Sequence, residues 1–255
     1  MTDTTSSAPR FPILLTAFIA VCVIILCALG TWQVQRLKWK EGLIDRAEAA
    51  ALLAPAPLAE VLTAIDPEFR KALVVCRGLP TAAFVELQSI HDGEPGRRLV
   101  SACVPEGMAQ TFLIDRGFLP DAVIERPRVM ASTLPLAMVV ELRRTPPPGP
   151  MVPAPSQGRF FGRDNAAMAT ALGAPPPSEF TLYALNSPNP EIPALIATAP
   201  PAAFSNNHLG YALTWFGLAL ALIGFYVAVL VRRSGTTPSI TAAPPAERQG
   251  KGPIS

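Results

Sequence analysis

Histidine is nearly absent from these 255 residues: there are two, and charged residues make up only 16% of the chain. Two histidines and four cysteines, with no CxxC and no Cys/His cluster, give no zinc site and no disulfide scaffold. No GxSxG, HExxH, P-loop or GxGxxG stands in a suitable context, so the sequence points away from an enzyme. A basic stripe is missing too. Between Gln33 and Asn207, sixteen Lys/Arg are balanced by seventeen Asp/Glu, which leaves nothing to track a phosphate backbone and argues against nucleic acid as a partner.

Charge is absent altogether from two stretches, between Arg10 and Arg36 and between Glu191 and Arg232. Each contains an apolar run of roughly 20 residues, long enough to cross about 30 Å of hydrocarbon. These runs explain the 50% apolar content and the mean hydropathy of +0.33. Phe11 to Thr31 exceeds the h-region of a signal peptide and has no clear cleavage site, so it reads as an uncleaved anchor. Two spans leave little to line a pathway, which excludes a polytopic carrier and makes the lipid bilayer the first partner.

The expected organisation is a polar N-terminus over 1–10, a transmembrane helix over 11–32 and a β-rich domain over 33–207. A second transmembrane helix over 208–231 and a disordered tail over 232–255 follow. The fold class is a membrane α-helical hairpin flanking an antiparallel, barrel-like or meander α+β domain. Trp32, Arg36, Trp39, Lys40 and Leu43 share one helical face, so the first helix continues past the bilayer until Pro55 and Pro57 end the region. Short Val/Leu/Ile/Phe-rich segments predict strands over Ala72–Cys76, Ala83–Ile90, Arg98–Val104, Thr111–Gly117, Ala137–Arg143 and Phe180–Leu185. Turn residues over His91–Gly96 and Pro105–Gly107 separate several of them. Short helices are expected over Leu58–Ala64 and, capped by Asp164, over Asn165–Leu172. The 29 prolines, about twice the usual share, make Thr145–Pro155 and Asn186–Pro201 extended connections.

In the second span, Gly210, Thr214, Gly217, Ala221, Gly224 and Ala228 recur at alternating four- and three-residue steps. That stripe lets another helix approach closely. Two spans put both termini on one side, and Arg232-Arg233 mark that side as cytoplasmic. Arg36, Lys38 and Lys40 follow the first span on the opposite side, but long domains cross largely regardless of charge. The central domain is therefore expected in the periplasm of a bacterial cell, anchored in the inner membrane, because the N-terminus is not Arg-rich like a transit peptide. There Cys76 and Cys103 are able to pair or to remain separate thiols.

Three motifs occur in order. They are Gly30-Thr-Trp-Gln-Val-Gln-Arg36-Leu-Lys-Trp39-Lys40, Leu113-Ile-Asp115-Arg116-Gly117-Phe118-Leu-Pro120, and Asn206-Asn207-His208-Leu-Gly210-Tyr211-Ala-Leu-Thr-Trp215-Phe216. With the two-span layout, they resemble the surfeit-locus cytochrome oxidase assembly family, with Phe118 standing where that family has Trp. The resemblance implies a non-catalytic assembly factor for haem-copper cytochrome oxidase. It implies assistance in delivering haem a to the catalytic subunit, the expected protein partner, and contact with the haem a synthesis machinery. A passive structural subunit of a respiratory complex and, less well, a membrane-anchored enzyme are the alternatives.

The implied cofactor-facing residues are His208, Tyr211, Trp215, Arg36 and Arg116, with haem a bound transiently. A neutral imidazole ligates haem iron, so His208 is the candidate metal ligand. Its other reading is an interfacial histidine bonded to headgroups or to the domain, with Asn206 and Asn207 as helix caps that also orient it. Arg36 and Lys40 suit haem propionates or, snorkelling, lipid phosphates. Asp115-Arg116-Gly117 is expected at a strand end, where Arg116 reaches a propionate or pairs with Asp115 or another carboxylate. His91, in a polar turn, reads as solvated.

Overall fold

The computed structural model describes residues 12–201 and 206–235. Residues 1–11, most of the predicted tail and the link at 202–205 lie outside the described residues. The chain divides into two compact units, one from Met1–Lys38 with Asn206–Ser255 and one from Trp39–Ser205.

In the first unit, α1 (Ile13–Ala51) and α4 (His208–Gly235) are both long and apolar enough to cross a membrane. Helix α1 has 39 residues, or nearly 60 Å at 1.5 Å per residue, about twice a hydrocarbon core. The expected extension beyond Trp32 is therefore continuous helix, running through an Ala/Glu/Lys-rich stretch of strong helix formers. It stops four residues before Pro55.

The second unit is an eight-stranded sheet with three short helical segments. In chain order these are β1 (Ala56–Pro57), α2 (Leu58–Leu62), β2 (Lys71–Arg77), a 3₁₀ turn (Leu79–Thr81), β3 (Val85–His91), β4 (Glu94–Cys103) and β5 (Thr111–Pro120). They are followed by β6 (Pro135–Arg144), β7 (Arg159–Phe160), α3 (Asn165–Ala171) and β8 (Pro177–Ala184). The six predicted strands are all present, and β1 and β7 are additions two residues long. The order is β1-β2-β6-β8-β5-β4-β3-β7.

The sheet is mixed rather than purely antiparallel: β1/β2, β5/β8 and β3/β7 pair in parallel. The local reason for the β3–β4–β5 meander is turn chemistry. Asp92 and Gly93 both have positive φ, closing a two-residue hairpin with the twist that adjacent strands need. Alternation then directs Ala72, Val74 and Cys76 of β2 and Met138, Val140 and Leu142 of β6 into one core, with Phe112, Ile114 and Leu182. A second cluster, Val85, Leu87, Val100 and Leu113, packs under Met168 and Ala169 of α3. Asp164 caps α3 as expected, its carboxylate accepting the Ala167 amide at 3.0 Å.

The sheet curls until its separated strands meet. Cys76 at the end of β2 and Cys103 at the end of β4 form a disulfide with Cα atoms 6.0 Å apart, although three strands, β6, β8 and β5, lie between them in the order. The Glu106 amide donates to the Val75 carbonyl at 2.9 Å, and Arg77 pairs with Glu106 at 2.7 Å beside it. Of the two states open to these cysteines, the fold has them paired. Crosslinking residues 27 apart removes loop-closure entropy from the unfolded chain. Replacing both Cys76 and Cys103 by Ala is expected to lower unfolding stability by about 3–4 kcal/mol, read as a lower denaturant midpoint of the detergent-solubilised protein.

Candidate functional site

In the helical unit, His208 opens α4, and the Asn207 carbonyl accepts the Tyr211 amide at 3.3 Å to start the helix. The His208 imidazole is half-buried, and its Nδ1 lies 2.6 Å from the Gln33 side-chain oxygen on α1. Farther along the pair, Gly30 is buried beneath the Phe216 ring: a Cβ there would come within 2.7 Å of Phe216 Cζ. Ala212 and Ala219 of α4 are also buried, and the Thr16 and Tyr226 hydroxyls hydrogen-bond. The contact between the helices thus runs through His208, Ala212, Phe216, Ala219 and Tyr226. The small-residue stripe faces elsewhere: Gly210, Gly217 and Gly224 have open space around them among the described residues.

Of the other predicted residues here, Trp215 is half-buried while Tyr211 stands exposed; at i, i+3 and i+7 of one continuous helix, His208, Tyr211 and Trp215 share a face. Arg36 is exposed on α1, one turn beyond Gln33. Gln33 is the residue that sequence reasoning passed over, although it lies inside the first motif. Asn206 and Asn207 read as helix caps that could also orient His208; among the described residues the ring is held by Gln33, and the Asn206 side-chain oxygen is buried without a partner.

The β unit holds a second concentration of polar groups. Strand β5 does not end at Gly117. It continues to Pro120, and its register slips between Leu99 and Val100 so that Arg116 is the unopposed residue of a β-bulge. Gly117 makes this possible, because its φ of +136° lies in the glycine region and the Ile196 carbonyl oxygen would lie 2.5 Å from a Cβ. The bulge turns Arg116 inward. Its guanidinium is fully buried and donates to the Asn189 side chain, to the Pro80 and Ala82 carbonyls and to Ser101. Burial lowers its pKa to about 10, with Glu191 opposing the shift, so it stays cationic at neutral pH. Arg116 is thus an interior tie, with its donors committed to the protein and no ion pair to Asp115.

Asp115 has other partners. Its carboxylate, with no solvent exposure, accepts Arg98 Nε at 2.7 Å, an Arg163 Nη at 2.6 Å and the Gly117 amide at 3.2 Å. Both guanidiniums lie over the Tyr183 ring, at 5.4 and 4.9 Å from its centroid. Burial pushes the Tyr183 hydroxyl above its ordinary value, so it remains a neutral phenol at neutral pH. For Arg163, burial opposes the charged form, but Tyr183 once ionised and the Asp115 carboxylate outweigh it and the net shift is upward. A third cluster lies at the β3–β4 hairpin, where Glu86 accepts Arg97 at 2.7 Å and Arg126 at 2.6 Å. Burial would raise the Glu86 carboxyl, but the two arginines win and hold it below its ordinary 4.5. His91 is not simply solvated: its ring lies 5.3 Å from Phe118. Among the described residues no group of three or more His, Cys, Asp or Glu is placed to hold a metal ion.

Comparison with known proteins adds to this geometry. A family model described as the SURF1 family matches residues 20–220, most of the chain. The chain belongs to the SURF1 family. Surfeit locus protein 1 of Mus musculus is 28% identical over 233 residues, covering 81% of this chain and 72% of its own. The Homo sapiens protein of that name is 29% identical over 215 residues, covering 76% and 70%. The Saccharomyces cerevisiae protein named cytochrome oxidase assembly protein SHY1 is 33% identical over 96 residues, 36% of this chain and 25% of the yeast protein. The matched span takes in α1 from its eighth residue, Ala20, the whole β unit, and α4 as far as Leu220.

Two measurements check the charge assignments. Asp115→Ala leaves Arg98 and Arg163 without their shared partner and is expected to cost roughly 3–5 kcal/mol of stability, whereas Glu106→Ala at the exposed Arg77 pair costs under about 1 kcal/mol. Glu86, ionised to lower pH folded than unfolded, stabilises the domain above 4.5, and that stabilisation is lost as pH falls below it. Glu86→Gln is expected to flatten this acid limb in a series of denaturation curves, leaving the dependence at higher pH unchanged.

Proposed function

We propose that this chain is an assembly factor for a haem-copper cytochrome oxidase and assists delivery or insertion of haem a into the catalytic subunit. The observation that carries the haem reading is His208 at the first turn of α4, with one ring nitrogen held by Gln33 and no bond from the other among the described residues. A neutral imidazole with a free lone pair, beside the partly buried Trp215 ring, fits an apolar macrocycle bound through its metal. Arg36, one helical turn from Gln33, is the candidate partner for a propionate. Family membership and the name of the yeast relative support the oxidase assembly role.

On this reading the protein sits in a bacterial inner membrane, with the β domain in the periplasm and the termini in the cytoplasm. The Cys76–Cys103 disulfide supports the location of the domain, since such bonds persist in oxidising compartments. Arg232-Arg233 after the apolar part of α4 support the orientation. The partners are then the oxidase catalytic subunit and the machinery that supplies haem a.

Deleting the gene is expected to lower haem a occupancy of the oxidase catalytic subunit, measured by pyridine haemochrome spectra of the purified oxidase. Normal occupancy and activity would overturn the proposal. His208→Ala in the purified protein is expected to abolish haem a binding, with the Cys76–Cys103 domain still folded by circular dichroism. Stoichiometric presence of the chain in mature oxidase, rather than in assembly intermediates, would favour a structural subunit.

A further inference from the structure

We infer that Gln33 is a positioning residue for His208, fixing its tautomer so that Nε2 is the nitrogen offered to a metal. The inference rests on the reading of His208 as a haem ligand and names the residue that prepares it. An amide oxygen has no proton to give. With Gln33 Oε1 at 2.6 Å from His208 Nδ1, the proton between them belongs to Nδ1, which donates, and a neutral ring then keeps its lone pair on Nε2. The same bond fixes the plane of the ring, because the acceptor sits on a different helix and both helices are locked nearby. Phe216 packs on Gly30, one turn before Gln33, and Ala212 and Ala219 are buried on α4.

Metal-ligating histidines generally have such a partner behind them, and removing it weakens metal binding by about 10–100-fold. Here the partner is neutral. A carboxylate at the same place would draw the Nδ1 proton more strongly and make Nε2 a stronger donor to the metal, holding it more tightly. A neutral amide orients the ring without that added basicity, which suits a histidine that must release what it binds. Gln33 also separates this role from lipid contact: headgroup binding needs no tautomer, only a ring at the interface.

The test uses the full chain in detergent micelles or nanodiscs, with purified haem a as the probe. In the haem-free protein, ¹⁵N spectra of His208 are expected to show Nδ1 protonated and Nε2 unprotonated, and Gln33→Leu is expected to lose that preference. Haem a affinity is expected to fall about 10–100-fold in Gln33→Leu. Gln33→Glu is expected to keep binding, slow haem release to an acceptor and shift the reduction potential of the bound haem downward. A dominant Nε2–H tautomer in the wild type would overturn the inference. So would wild-type affinity and release in Gln33→Leu when His208→Ala abolishes binding, and that result would leave the haem-ligand reading intact. Undiminished binding in His208→Ala would instead overturn the ligand reading and this inference with it.

Discussion

A carboxylate with no access to water dictates what must surround it. Asp115 is fully buried in the central strand of the β unit, where an unpaired charge would cost several kcal/mol. Its partners come from separate places in the chain: Arg98 from β4, Arg163 from the turn before α3, and the amide of Gly117 beyond the bulge. Arg98 carries the connection further, donating to the Thr198 carbonyl in the segment that leaves the domain. One charge thus ties two strands, a helix entry and the exit of the domain. Arg116 points to the opposite side, where it bonds Asn189, Pro80 and Ala82. The two adjacent charges organise two different regions because successive residues of a strand point to opposite faces.

The bulge explains where local reading of the sequence succeeded and where it stopped. Alternation and turn residues were enough for the six longer strands, since each buries one set of side chains whatever its neighbour is. They were also enough for α3, whose cap and terminating Gly173 are both local. Strand partners are another matter. β5 pairs with β8 in parallel across some 60 residues, and nothing in either segment specifies that. The two-residue strands β1 and β7 are too short for any period. A glycine at 117 reads equally as a strand terminus or as the pivot of a bulge, and only the Ile196 carbonyl packed against it selects the second. The cysteine pairing has the same origin: Cys76 and Cys103 meet only once the sheet has curled.

The helices make a related point. Composition is sufficient to identify two spans, because length and apolarity are the whole requirement of a hydrocarbon layer. Periodicity then says which residues share a face, but not which face meets a neighbour. The six-residue small stripe on α4 is the more conspicuous pattern, yet α1 packs on the other side, where Phe216 finds the one buried glycine of α1. A large ring on a glycine and small alanines around it achieve the close approach that the stripe advertises. Gln33 was overlooked for the same reason: its importance comes from the residue it meets, 175 positions away.

On the proposed reading, the same geometry constrains how a cargo is held. His208 is attached to the protein through a helix start and, on its other nitrogen, through a neutral amide. A carrier must bind well enough to accept its cargo and weakly enough to surrender it. A permanent site would be expected to hold a metal from two sides or through a charged second shell. Here Gln33 directs the lone pair without strengthening it, and Arg36 lies exposed on α1 rather than locked into the interior as Arg116 is. The contrast between those two arginines is instructive. The buried one has spent its donors on backbone carbonyls and Asn189, so it serves stability. The one on the helix remains at the surface. Buried, fully bonded charge therefore belongs to the β unit, and on the proposed reading the binding and release of a cargo fall to the neutral pair of His208 and Gln33.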